Sequence, residues 1–178
     1  MPPAVPGAPA VRPADVERWL ADLGIEPLER ADRDGITSWD LVLDGRRRFD
    51  LRLTVILDPA LALICWAHYA PPINDMFRKS YRRLLRWNDE FPFAKFSVGE
   101  DERPLLAVEL PIATAGLDSL GVALARIVGI ADRLLDESRD WLWIGGRMPT
   151  QPERTGRNPA LLERFAAELP ELAGGVES

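Results

Sequence analysis

Cys65 and His68 are the chain's one cysteine and one histidine, and they lie three residues apart. Together they offer a thiol that an imidazole could activate, which requires the ring nitrogen within hydrogen-bond reach of the sulfur. The run around them, LALICWAHY (61–69), has strand character. Residues three apart on a strand point to opposite faces. The plainer assignment is therefore a buried cysteine and a strand histidine, because cysteine is among the residues most often buried. Two soft ligands that diverge also make a poor zinc site.

Carboxylates are the next candidates. Asp89, Glu90, Glu100, Asp101 and Glu102 could work as an acid/base pair. They sit beside turns and a helix end, where solvated acids are common. GLDSLG (116–121) has neither the glycine spacing nor the lysine of a phosphate loop, and it opens a helix. The sequence thus predicts no catalytic, cofactor-binding or metal-binding residue.

Surfaces are better marked. Arg78, Lys79, Arg82, Arg83 and Arg86 share one side of a helix, and Arg46, Arg47 and Arg48 add charge at a strand start. Such a face can follow nucleic-acid phosphates, although a net charge of −6 argues against that partner. The same cations could dock an acidic protein segment, or form a solvated face whose arginine stems cover apolar surface. Trp141 and Trp143, in DWLWIGG (140–146), are either exposed anchors or aromatics folded back on the domain. Arg78, Arg82, Arg83, Arg86, Trp141 and Trp143 are the expected partner-binding residues.

These groups need elements to position them. Of the 178 residues, 47% are apolar, enough for one packed domain. Residues 1–12, rich in proline and alanine, read as a flexible arm. Val16, Trp19, Leu20 and Leu23 form a helical stripe between Pro13 and Gly24. Asp34-Gly35, Asp44-Gly45 and Asp58-Pro59 are turn signals. Around them 36–43, 49–57 and 61–69 form an antiparallel meander, with the third strand apolar on both faces and so central or covered on its second side. A helix over 73–89 follows, then strands 94–98 and 105–110. The helix over 117–138 is apolar on more than one face and must be covered on more than one side. The sheet is the natural cover on one side and a sister subunit on the other, which puts Val122, Val128 and Ile130 in a homodimer interface. A linker and a short amphipathic helix occupy 147–178. Residues 159–169 could fill a partner's groove, or pack on their own domain or a sister subunit.

The fold class is therefore α+β, an antiparallel sheet with helices packed on it in the order α-β-β-β-α-β-β-α, plus a tail helix. That order frames three stretches: LLRWNDEFPFAKFSV (84–98) at the second helix-to-strand junction, then PLLAVELP (104–111) and the apolar helix bearing ADRLLDE (131–137). Over roughly residues 13–144 this resembles the YbjN family, catalogued as bacterial sensory transduction regulators and sharing its fold with class I type III secretion chaperones. The resemblance implies a dimeric module that acts by binding proteins and brings no catalytic residues. With the domain taken as 13–146, the tail 147–178 is an addition. No apolar run reaches the ~18–20 residues of a membrane helix, and the start lacks the regions of a secretory signal. A cytoplasmic protein-interaction module, chaperone-like or a regulatory adaptor, is expected, with nucleic-acid binding through 73–89 as the alternative.

Overall fold

The computed structural model describes residues 10–73, 78–139, 142, 149 and 152–173. Helix α1 (Pro13–Asp22) starts at the expected proline, and Asp15 caps it by accepting the Arg12 backbone N–H at 3.0 Å. Val16 and Leu20 are fully buried. Gly24, at φ 71°, ends the helix in the left-handed geometry that glycine adopts without penalty.

Six strands form one antiparallel sheet: β1 (Glu29–Arg33), β2 (Ile36–Leu43), β3 (Leu51–Asp58), β4 (Ala62–His68), β5 (Lys95–Val98) and β6 (Pro104–Pro111), in spatial order β1-β2-β3-β4-β6-β5. The expected element order holds, with one strand added at the front. β1 is exposed along its whole length and so has no apolar alternation to reveal it. Its signal was the turn: Asp34 and Gly35 both have positive φ, 52° and 80°, as a two-residue hairpin loop requires. β4 lies inside the sheet, paired with β3 and β6.

Helix α2 (Arg78–Glu90) leads into β5 through the stretch 86–96. Asn88 makes this joint. Its Nδ2 donates to the Phe96 carbonyl at 3.1 Å, and its Oδ1 accepts the Phe96 N–H at 2.5 Å. One amide thus pairs with both polar groups of a strand residue, while Pro92 bars helical continuation. Trp87 is buried and packs its ring 5.1 Å from Phe96 and 6.0 Å from Tyr69. Asn88→Ala removes both bonds and is expected to cost about 2 kcal/mol. A chemical-denaturation midpoint equal to wild type would show that the joint holds without them.

Helix α3 (Leu117–Arg133) is buried from Leu120 through Val128 except for the half-buried Val122. The sheet and α1 cover one side. The other side is covered by the chain's own C-terminal segment: α4 (Pro159–Arg164), a 3-10 turn (Ala166–Glu168) and α5 (Pro170–Ala173). Of the three residues expected at a dimer interface, two are thereby enclosed within the chain. Val128 and Ile130 are 1% and 0% exposed, and Val122 packs against the same core. Val128 and Ile130 have no surface to offer a second copy while that segment is seated, whereas Val122 is half-buried. Two glycines make room for it. A Cβ on Gly121 would lie 2.2 Å from the Phe165 ring, and one on Gly129 2.6 Å from Leu172. Every described helix that contributes buried apolar residues joins one core on a single face of the sheet.

Candidate functional site

The basic side of α2 is outward-facing. Lys79, Arg82, Arg83 and Arg86 are exposed, and Leu85, among them, is 68% exposed. Arg83 is spent within the chain, donating to Glu137 at 2.9 Å. Lys79, Arg82 and Arg86 form no salt bridge among the described residues, so their charge faces solvent. The side chain of Arg78, and Trp141 and Trp143 entirely, lie outside the described residues.

Cys65 and His68 do diverge. Cys65 is fully buried toward the helices, and burial pushes its thiol up to about 12, the opposite of activation. His68 is half-buried on the other face beside Trp66, ring centroids 6.4 Å apart. The five candidate carboxylates are exposed at two separate places, Asp89 and Glu90 at the end of α2 and the other three between β5 and β6. Asp101 pairs with Arg103 at 3.3 Å, and Glu102 accepts from the Tyr81 hydroxyl at 3.4 Å. Among the described residues no group of three His, Cys, Asp or Glu is placed to hold a metal ion.

The densest polar cluster joins residues more than a hundred positions apart. Asp44, at the end of β2, has a fully buried carboxylate. It accepts from Arg154 Nη1 at 2.5 Å and Nη2 at 3.1 Å, from Arg157 N at 2.8 Å and Nη1 at 2.9 Å, and from Asp50 N at 2.8 Å. Asp50 receives the same two guanidinium groups at 2.9 and 2.7 Å. Asn158 repeats the Asn88 device: its Oδ1 accepts the Asp44 N–H at 3.1 Å and its Nδ2 donates to the Asp44 carbonyl at 3.2 Å. Arg154 also lies over the Phe49 ring, 4.8 Å from its centroid. Burial alone would raise the Asp44 carboxyl, but the donors from Arg154, Asp50 and Arg157 outweigh it and hold it at about 2.

The loop that carries this latch is itself gripped from α3. Asp132 accepts the successive backbone N–H groups of Arg46, Arg47 and Arg48 at 2.6, 3.0 and 2.7 Å. A side chain on Gly45 would strike that carboxylate, at 2.3 Å. The expected cationic triplet thus contributes backbone donors. The Arg48 side chain is buried, stacks on Tyr69 at 4.8 Å and donates to the Tyr69 carbonyl. Two clefts flank the latch. One of about 470 Å³ is lined by Gly24, Pro27, Leu28, Val42 and Arg157 among others, and one of about 320 Å³ by Gly45, Phe49, Arg154, Gly156 and Leu162 among others. Neither includes any of the five candidate carboxylates.

Compared with known protein families, residues 12–140 match YbjN, described as "Putative bacterial sensory transduction regulator". The chain belongs to the YbjN family. No curated protein matches it. The YbjN match contains α1, the six strands, α2 and α3, and with them Asp44, Asp50 and Asp132. It ends before Arg154, Arg157 and Asn158. The latch therefore joins the YbjN domain to a segment beyond the match, and that segment covers the outer side of α3. Among the described residues of this YbjN protein, no helix is long and apolar enough to cross a membrane.

Proposed function

We propose that this YbjN protein is a non-enzymatic regulatory adaptor of the cytoplasm, chaperone-like in its mode of action, that works as a homodimer and docks an acidic segment of a protein partner on the outer face of α2. The observation that carries the reading is the row Lys79, Arg82 and Arg86, exposed and without a salt bridge among the described residues, around the exposed Leu85. Spacings of three and four residues put these cations on one helical face. Acidic side chains at the same spacing on a partner helix would meet them, with an apolar contact at Leu85. Family membership supports a regulatory role. The buried thiol of Cys65 and the solvated acids, divided between the end of α2 and the β5–β6 loop, support binding over catalysis.

Phosphates could meet the same cations, and the test separates the two partners. Fluorescence anisotropy at low salt would compare a labelled amphipathic peptide, glutamates on one face and leucines on the other, with a single-stranded oligonucleotide of equal charge. The peptide is expected to bind more tightly. Arg82→Glu with Arg86→Glu should weaken it about tenfold or more and flatten its salt dependence. Tighter binding of the oligonucleotide, with a steep salt slope, would favour the nucleic-acid reading instead.

A further inference from the structure

The described helices cover one face of the sheet only, and the opposite face is apolar at its centre, with Asp40, Arg52, Lys95 and Glu109 exposed around that centre. Val42, Ile56, Ile64, Trp66 and Leu105 are half-buried on it, and Ala107 is 6% exposed. Antiparallel sheets with one solvated face ordinarily alternate apolar inward with polar outward. Here the central strands break that rule. Of these side chains, the five large ones lie outside the core cluster that unites the helices with the other face. The Trp66 Nε1 and the His68 Nδ1 on this face are shielded from solvent and have no hydrogen-bond partner among the described residues.

We infer that the outer face of the sheet is the self-association surface, packed face to face against the same face of a second copy. This rests on the proposal that the protein is a homodimer, and it moves the contact from α3 to the sheet. Two observations select a second copy as the occupant. The first is area. Five strands spaced ~4.8 Å apart, with three rows of outward side chains, give a flat footprint of about 500 Å². That is the order of the ~800 Å² per partner that a stable pair buries, and it is apolar at its centre. The second is charge. The row through Trp66 runs Asp40, Thr54, Trp66, Ala107, Lys95 across β2, β3, β4, β6 and β5. A two-fold axis along β4 lays Trp66 on its own copy and brings Asp40, which accepts from Thr54 at 2.7 Å, over Lys95, which pairs with Glu109 at 2.5 Å, so that each end of the row extends an existing polar contact across the pair. Such a pair of sheets, strands nearly aligned, is a standard packing.

Light scattering on the full chain, across concentrations around ~10 µM, reads the outcome. Wild type is expected at twice the 19.9 kDa chain mass. Thr54→Arg places a cation at the centre of the face, where a lone chain has room for it, and should raise the dimer dissociation constant at least 100-fold. Asp40→Lys should weaken the dimer, and Asp40→Lys combined with Lys95→Asp should restore it. Circular dichroism melts of each variant show whether the fold is intact, and the exchanged pair serves if Thr54→Arg fails to fold. A wild-type monomer would overturn both the homodimer and this surface. A dimer that persists through Thr54→Arg and Asp40→Lys would overturn the surface alone.

Discussion

Replacing Asp44 with alanine is expected to release the C-terminal segment from α3 and to cost about 3 kcal/mol. Removing one partner of a buried ion pair costs ~3–5 kcal/mol. The lower end applies because Arg154 and Arg157 are 31% and 47% exposed and recover part of their hydration when freed. The backbone N–H groups of Asp50 and Arg157 lose their acceptor as well. For a chain of this size the melting temperature should fall by roughly 6–12 °C. Limited proteolysis should cut at residues 152–173 first, because the polar anchor goes while the YbjN sheet and its core keep their own contacts. A melting point unchanged within error, with the segment still protected, would show that Phe165 and Leu172 hold it alone.

The same carboxylate gives a pH dependence of defined sign. Asp44 titrates at about 2 in the folded chain against an ordinary value of 3.8. Between those values the unfolded chain binds the proton and the folded chain does not, so stability rises with pH across that window. The contribution is complete above about pH 4, worth about 2 kcal/mol, and is lost as pH falls toward 2. Asp44→Ala should therefore show a flatter acid limb in its stability profile than wild type.

Trp87→Ala is the second large effect, expected at about 3–5 kcal/mol, the cost of emptying a fully buried aromatic site. Its ring meets Tyr69 edge-on and Phe96 at a tilt, and those two lose their neighbour together. Trp87→Phe, which keeps an aromatic ring there, should cost less than half as much. Equilibrium denaturation measures both. Acidic-peptide binding per folded molecule should be unchanged in either variant, since Trp87 faces the core while Arg82 and Arg86 face solvent. A folded Trp87→Phe protein that has lost peptide binding would mean that the joint takes part in recognition.

Much of this was legible along the chain because local rules act over a few residues. The period-two alternation of 49–57 produced β3, and the helical stripe between Pro13 and Gly24 produced α1. The spacing of Cys65 and His68 required the opposite faces they occupy. The stretch 86–96 carried both the joint and the family. β1 escaped because an edge strand with all its side chains in water has no apolar pattern, and only Asp34-Gly35 marked it.

The sequence by itself determined the α+β class, the element order apart from β1, and the basic side of α2, since each follows from periodicity or turn chemistry within one element; it left β4 either central or covered on its second side, and the pairing with β3 and β6 made it central. It also determined that α3 needs cover on more than one side. Which surface supplies that cover was a tertiary decision: Phe165 and Leu172 meet Gly121 and Gly129 only because the chain folds back. The latch was equally invisible. Asp44, Arg154, Arg157 and Asn158 are ordinary loop residues in sequence, and their partnership depends on a carboxylate that burial would otherwise raise and that four donor groups hold ionised. Burial of a charge is a property of the packed molecule, and no spacing rule spans a hundred residues.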